Sequence, residues 1–353
     1  KEAIIFCNGD NDTFPLWYNI EVEEERNDVR ACNLSYLQTD WYIDQMKRPY
    51  YNSPGLPISW EEKDYMPGKN EVVWVENRLN APLEVKKAFQ FLHSTDPRTK
   101  RDGEGYIPSD QLYVLSPDSQ KINIKKARRF TRSEMMVMEM LSTNEWQRPM
   151  YFAVTIGNDY HLGLDPYLEL TGLAYRITPE RSANGRPRVN TEVMYDNMLH
   201  KFKYGNMNVP GIYIDENTMR MCRTHRMMFM ELAEALYNEG KRDKCLEVLD
   251  FAEKMLPGYN IPYDYTSATM AVYYYQLGEM DKANAIMTEV ADNCAEYLAW
   301  GESLAKEQRA SSQSTLQHQL AVLGYVLQNM ERYQQKELFN HYYDIYIQYA
   351  AMR

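Results

Sequence analysis

The stretch AIIFCNGDNDTFPLW, residues 3–17, decides the fold of the first half of the chain. Residues 3–7 form an unbroken apolar run, which is typical of a strand buried on both faces. The next five residues, NGDND, favour turns. The helix that follows is predicted to have one buried face, which consists of Leu16, Trp17, Tyr18, Ile20 and Val22. A second apolar run, VRACNL, comes directly after this helix. The pattern predicts half of a parallel α/β layer whose polar loop lies at the ligand-binding edge.

Two carboxylates in that loop, Asp10 and Asp12, leave two interpretations open. Carboxylates one residue apart can share a divalent cation, as in the DxD motif of nucleotide-sugar transferases. Alternatively, Asp12 or Thr13 caps the helix, Asp10 holds the turn, and Pro15 lies in the first helical turn, where a missing amide costs little. We favour the second interpretation. It predicts no metal ion and no cofactor, with Asp12 contacting backbone amides at the start of the helix.

Length and composition indicate a globular chain of two domains. It has 353 residues, 44% of them hydrophobic and 25% charged, and this length exceeds what one core usually takes up. No apolar run approaches the roughly 18 residues that span a bilayer. A net charge of −11 argues against nucleic acid as a partner, because phosphate binding needs a basic surface. The chain begins at Lys1 beside the first strand, so we expect a fragment of a longer protein.

The cysteines show neither a CxxC pair nor a metal-ligand spacing. There are five of them, Cys7, Cys32, Cys222, Cys245 and Cys294. An odd number, spread over predicted strands and helices, indicates buried free thiols. Composition alone therefore favours a reducing compartment.

Residues 1–190 alternate predicted strands and helices, which predicts a layered α/β, Rossmann-like domain with a mostly parallel sheet. Residues 48–68 are rich in Pro and Tyr without periodicity and are predicted to form a long surface excursion. Residues 179–190, PERSANGRPRVN, have the composition of a linker. Further strands are predicted at 71–75, 111–115, 150–156 and 173–177, and helices at 39–46, 82–94, 131–146 and 165–171.

Residues 191–353 repeat a helical pattern that is typical of tetratricopeptide repeats. Small side chains such as Ala233 and Ala283 recur where two antiparallel helices approach closely. Gly240 and Gly278 are predicted in equivalent turns between helices. Asn329 replaces the turn glycine in a worn last repeat, as expected of a capping unit. We therefore predict an all-α, tetratricopeptide-like second domain.

Candidate ligand-binding residues of the first domain follow from its predicted sheet edge. A second polar glycine turn, residues 157–160, follows another predicted strand and would face the same crevice. His161 is a candidate acid–base group, although a loop histidine near a sheet end is more often solvated. Aromatic side chains can supply stacking platforms for sugars. The candidates are Asp10, Asn11, Asp12, Trp17, Trp41, Asp159, Tyr160 and His161, none of them predicted to be catalytic.

The helical repeats predict a groove for an extended peptide. Tyrosine offers rigid area with a hydrogen-bonding tip, and acidic neighbours favour basic or hydroxyl-bearing peptides at micromolar affinity. In the alternative interpretation these tyrosines pack the array. The residues concerned are Tyr273, Tyr274 and Tyr275, with Glu231, Glu234 and Glu239 nearby.

Six segments carry a resemblance to a known family. They are NGDNDTFPLWY (8–18), DVRACNLSYL (28–37), TDWYIDQM (39–46), STNEWQRPMYFAVT (142–155), GLDPYLELTGLAYR (163–176) and KFKYGNMNVPGIYIDEN (201–217). Over essentially its whole length, the chain resembles the soluble C-terminal region of large membrane proteins known mainly from Bacteroidetes. Their N-terminal membrane domain is of the GT-C glycosyltransferase type related to protein O-mannosyltransferases.

The resemblance implies an extracytoplasmic, periplasmic domain that is tethered by its own N-terminal membrane domain. GT-C enzymes keep the catalytic carboxylate in the membrane domain and take sugar from a lipid-phosphate donor, so the resemblance implies no catalytic residue in this chain. The implied function is accessory, namely binding of the acceptor polypeptide or of a protein partner. Two alternatives are a soluble metal-dependent enzyme using the DxD motif and a purely structural scaffold.

Overall fold

The N-terminal unit of this computed structural model ends at Asn190, a second unit begins at Thr191, and residues 1–351 are described. The strands are β1 (Ile4–Cys7), β2 (Arg30–Asn33), β3 (Val72–Trp74), β4 (Leu83–Glu84), β5 (Lys100–Arg101), β6 (Glu104–Gly105), β7 (Leu112–Leu115), β8 (Lys121–Asn123), β9 (Arg129–Thr131), β10 (Met150–Ala153), β11 (Leu168–Leu170), β12 (Ala174–Ile177) and β13 (Arg188–Val189). The helices of the N-terminal unit are α1 (Asp10–Glu21), α2 (Asp40–Lys47), α3 (Glu62–Tyr65), α4 (Val85–His93) and α5 (Arg132–Thr143).

The main sheet of the N-terminal unit has six strands in the order β13-β11-β12-β10-β1-β2. β1 lies between β10 and β2 and is parallel to both. β12, however, is antiparallel to β10 and to β11. The sheet is therefore mixed, and the prediction of a mostly parallel sheet is wrong. Only residues 171–173 separate β11 from β12, and so short a connection joins antiparallel strands.

Several predicted strands and helices are present but differ from the prediction in their sheet or in their type. The predicted strands at 71–75 and 111–115 lie outside the main sheet, in a β3-β9 pair and a β4-β7-β8 sheet. The helix predicted at 165–171 is a short 3-10 turn, Asp165–Tyr167, followed by β11. The predicted linker ends in β13, which pairs with β11, so its last residues are part of the sheet.

The apolar helix α5 lies in the core of the N-terminal unit, and every residue from Met135 to Leu141 is buried. Thr131 caps it: the Glu134 amide donates to the Thr131 hydroxyl, and the Thr131 amide donates to the Glu134 carboxylate at 2.9 Å. This reciprocal capping box fixes where the helix begins. α5 packs against α4 and against the 3-10 turn Tyr36–Gln38.

The prediction that residues 48–68 form a surface excursion is wrong, because part of this segment enters the core. Ile58, Trp60 and Tyr65 are buried. Neighbouring cations bind its backbone carbonyls: Lys47 Nζ donates to Trp60 O at 2.5 Å, and Arg148 Nη1 donates to the Gly55 carbonyl at 3.0 Å. These bonds supply the partners that buried backbone needs when it forms neither helix nor sheet.

Beyond Asn190 the described residues form helices and no strand, which confirms the all-α prediction for this part of the chain. A π-helical turn, Asn197–Lys201, extends the first of these helices. The helices are α6 (Thr191–Asp196), α7 (Glu216–Asn238), α8 (Arg242–Met255), α9 (Tyr265–Leu277), α10 (Met280–Ser303), α11 (Lys306–Ser311), α12 (Gln313–Arg332) and α13 (Lys336–Ala350).

Three helix pairs, α7–α8, α9–α10 and α12–α13, are joined by turns of the same construction. Each turn has one residue in the left-handed region, and the next amide donates to a carbonyl five residues earlier, as in a Schellman motif. The left-handed residues are Gly240, Gly278 and Gln334, and the bonds are Lys241 to Leu236, Glu279 to Tyr274 and Gln335 to Met330. Gln334, not Asn329, therefore takes the glycine position of the third pair, because Asn329 lies inside α12.

A buried arginine holds the segment between α8 and α9 in place. Arg226 donates to the carbonyls of Leu256 at 2.8 Å, Ile261 at 2.7 Å and Pro262 at 3.1 Å. The guanidinium thus satisfies three carbonyls of a segment that has no regular structure.

Replacing Arg226 by Met should lower the free energy of unfolding by about 3 kcal/mol, because buried carbonyls lose their donors. Arg223 provides the matched control, since it is half exposed and its nearest carboxylate, Asp264, is 3.9 Å away. Arg223→Met should change stability by less than about 0.5 kcal/mol. Urea unfolding followed by circular dichroism measures both variants. Equal losses would contradict the assigned role of Arg226.

Candidate functional site

The polar loop after β1 is shorter than the sequence pattern predicts. α1 begins at Asp10, Gly9 is its N-cap with a φ of 82°, and no side chain caps the helix there. Asp12 lies in the first turn, and its carboxylate accepts the Asn8 amide at 3.4 Å, so it is not the cap that we predicted. Pro15 lies in the second turn, inside the helix, rather than in the first.

Thr13 holds this loop to the neighbouring strand. It is buried, its hydroxyl donates to the Gly9 carbonyl at 2.8 Å, and it accepts a hydrogen bond from Asn33 Nδ2 at 2.8 Å. Asn33 ends β2, and its Oδ1 accepts the amides of Ser35 at 2.8 Å and Tyr36 at 3.1 Å. A threonine and an asparagine, and not the two aspartates, therefore position the carboxyl edge of the sheet.

We expect Thr13→Val to lower the free energy of unfolding by about 2 kcal/mol, because it leaves the buried Asn33 amide without an acceptor. The isosteric change keeps the volume, so packing contributes little to the loss. Asp12→Ala should cost less than about 0.5 kcal/mol, since it removes one long hydrogen bond at a half-buried position. Chemical denaturation of both variants checks the order. A larger loss in Asp12→Ala would restore the capping interpretation.

Four aromatic rings lie in a row beside the loop, and we call Phe14, Trp17, Tyr36 and Trp41 the aromatic row. Ring centroids are 5.7 Å apart for Phe14–Trp17, 6.2 Å for Trp17–Tyr36 and 6.0 Å for Tyr36–Trp41. Phe14 and Trp41 are 50% and 55% exposed. Tyr18 and Val22, both predicted on the buried face of α1, are also exposed. The structure thus brings together Trp17 and Trp41, two of the predicted candidates, on either side of Tyr36.

The surroundings of the aromatic row are acidic. All charged side chains from Asp10 to Glu25 are carboxylates. A pocket of about 270 Å³ opens beside Trp17, with Tyr50 in its wall. The Glu21 carboxylate there accepts the Tyr50 hydroxyl at 2.8 Å, which raises the pKa of Tyr50. Helix α1 therefore combines aromatic side chains with negative charge, while Arg30 adds one cation to the pocket wall.

The second polar turn lies at the same sheet edge, because β1 and β10 are parallel neighbours. Its side chains nevertheless have different partners from those of the first turn. His161 is buried, its Nδ1 is 3.0 Å from the Asp165 carboxylate, and its ring packs 5.1 Å from that of Phe152. The expectation of a solvated histidine is thus corrected. Asp159 and Tyr160 are exposed.

The three consecutive tyrosines of α9 have different surroundings. Tyr274 is buried, and its hydroxyl donates to Asp250 at 2.9 Å. Tyr275 is also buried, it donates to Asn284 at 2.6 Å, and burial raises its pKa to about 12. Tyr273 alone of the three is partly exposed. The structure therefore places two of the three predicted groove residues inside the helical unit.

Sequence reasoning missed a polar pocket of about 470 Å³ in the N-terminal unit, which residues 59–64, α4 and α5 form together. Its one signal in the sequence is Glu139, a lone carboxylate inside the apolar run MMVMEML.

Residues 1–351 contain no group of three or more His, Cys, Asp or Glu side chains placed to hold a metal ion. Within the same range, every helix is too short or too polar to cross a membrane.

By its fold, the chain is a two-unit protein in which a mixed α/β unit precedes a unit of paired helices. A family model described as TMEM260-associated domain 2 matches residues 1–123 and, in a second segment, 114–198. These segments cover more than half of the 353 residues, and the chain belongs to this family. Neither a curated protein nor a solved structure matches the chain.

Proposed function

We propose that the chain is an accessory domain of a TMEM260-like membrane protein and binds an acceptor polypeptide through the aromatic row. Family membership supports the association with TMEM260-like proteins, which are of the protein O-mannosyltransferase type. In this proposal the domain lies on the periplasmic side, tethered by its own membrane domain. The chemistry takes place in that membrane domain.

The aromatic row, which is exposed at Phe14 and Trp41, is the observation that carries this proposal. Contiguous aromatic surface in contact with water is typical of interaction sites, and tyrosine and tryptophan combine large apolar area with a polar tip. The row lies within the residues that the family model matches. Carboxylates around it, such as Asp10 and Glu21, favour a polypeptide with basic or hydroxyl-bearing side chains.

We further infer that the helical unit is a tetratricopeptide-type array. The three equivalent turns support this inference, as do the fully buried small side chains Ala233, Cys245, Ala271 and Ala283. Burial of two of the three α9 tyrosines favours the aromatic row over this array as the peptide-binding face. The array then serves mainly as a scaffold.

A labelled peptide rich in Ser, Thr and Lys should bind the wild-type chain with micromolar affinity in fluorescence anisotropy. The double variant Trp17→Ala/Trp41→Ala should bind at least about tenfold more weakly, because central aromatic side chains dominate such interfaces. Trp74→Ala is the matched control, since Trp74 lies in the same unit and is 58% exposed but is not part of the row. Its affinity should equal that of the wild type.

Two results would contradict the proposal. Absence of peptide binding to the wild-type chain would remove the acceptor-binding function. Unchanged affinity in the double variant, together with a loss in Tyr273→Ala, would assign binding to the helical array instead. The metal-dependent enzyme predicts something different, a tight Mn²⁺ site in calorimetry that Asp10→Ala abolishes.

A further inference from the structure

The polar pocket in the N-terminal unit shares no lining residue with the aromatic row, and its lining comes from three separate segments. Residues 59–64 supply Ser59 and Trp60, α4 supplies Phe89, Gln90 and His93, and α5 supplies Glu139. Its volume of about 470 Å³ falls within the range of about 300–1,000 Å³ that small-molecule sites occupy.

Two ring nitrogens in this lining are buried and have no hydrogen-bond partner, Trp60 Nε1 and His93 Nε2. Trp60 is 2% exposed, and its ring meets that of His93 edge to face at 4.3 Å. A buried polar atom without a partner costs about 1–3 kcal/mol, so native structures rarely keep one without a reason. Two such nitrogens in one pocket point to a ligand that carries hydrogen-bonding oxygens.

A buried carboxylate, that of Glu139, also belongs to the pocket lining. Glu139 Oε1 accepts the Ser59 amide at 2.8 Å, the Ser59 hydroxyl at 2.5 Å and the Thr143 hydroxyl at 3.2 Å. These bonds tie residues 59–64 to α5 and orient the carboxylate. The pocket lining therefore holds two unpartnered ring nitrogens and a carboxylate acceptor in a fixed arrangement, next to the packed rings of Trp60 and Phe89.

The charges of the lining exclude a simple anion site. The lining includes two ammonium groups and three carboxyl groups, those of Lys63, Lys86, Glu61, Asp64 and Glu139. Lys63 pairs with Glu61 at 2.5 Å, and Lys86 pairs with Glu145 at 2.7 Å. Burial lowers the pKa of His93, so its ring adds little positive charge at neutral pH. No surplus of positive charge is left over to hold a phosphate or a carboxylate.

We propose that this pocket binds a neutral, polyhydroxylated ligand of the size of one sugar residue. Hydroxyl groups are both donors and acceptors, so they match Trp60 Nε1, His93 Nε2 and the Glu139 carboxylate at once. This site is independent of the aromatic row, and neither proposal requires the other.

The test uses the full 353-residue chain and methyl glycosides of mannose, glucose, galactose and N-acetylglucosamine. Saturation-transfer NMR detects binding, and calorimetry measures the dissociation constant. We expect one glycoside to bind with millimolar affinity. Trp60→Phe, which keeps the ring but removes the N–H, should weaken binding about tenfold, the factor that one lost hydrogen bond explains. Trp74→Phe is the matched control and should bind like the wild type.

Gln90→Ala provides a second variant, because Gln90 is exposed at the pocket and its truncation leaves the core intact. It should weaken binding severalfold even where Trp60→Phe lowers stability. A glycopeptide carrying the same sugar distinguishes the two sources of the ligand, since stronger binding than that of the methyl glycoside indicates a glycan attached to protein. Inorganic phosphate serves as the anion probe.

Three outcomes would overturn the proposal. The first is that no glycoside of the panel binds the wild-type chain in a saturable manner, as expected for a pocket that holds only solvent. The second is equal binding by the wild type, Trp60→Phe and Gln90→Ala, which would place the sugar elsewhere. The third is displacement of the glycoside by phosphate at lower concentration, which would define an anion site.

Discussion

Within each of the two units, cationic side chains that bind backbone carbonyls stabilise the fold. In the N-terminal unit, Arg132 donates to the Lys69 carbonyl at 2.7 Å and Arg148 donates to that of Gly55 at 3.0 Å. Arg226 has the same role in the helical unit, where it binds three carbonyls. A guanidinium has five N–H donors and can satisfy several carbonyls at once. Segments without regular structure can therefore be buried without leaving unpaired backbone groups.

Both proposed binding regions depend on such segments. Residues 59–64 line the polar pocket because side chains bind the backbone of residues 55–60. These side chains are Lys47, Arg148 and Glu139. The aromatic row depends on the backbone after β2, which the Asn33 side chain holds. Loops fixed on a rigid sheet and helix framework commonly carry function. In this chain, buried polar side chains such as Asn33 and Glu139 bind the backbone of these segments and so set the geometry of both regions.

The sequence was informative where the pattern is local. The apolar run of β1, the polar loop and α1 could be predicted, and so could α5, because these elements depend on neighbouring residues. Strand direction could not, since β12 has the same apolar pattern in either direction. The burial of His161 depends on rings from two other strands. The prediction for the three α9 tyrosines failed for a geometric reason. Consecutive residues on a helix point about 100° apart and cannot share one face.

The burial of the cysteines affects how the chain reacts with oxidants before and after it folds. All five are buried free thiols, and burial raises the pKa of Cys7 to about 11 and that of Cys294 to about 12. Thiolates are the species that oxidants attack, so the folded chain is protected. The unfolded chain has no such protection, because its thiols are exposed and have a pKa near 8.5. In an oxidising compartment, folding therefore competes with disulfide formation. The speed of folding, rather than the stability of the final structure, then decides how many molecules escape wrong cross-links.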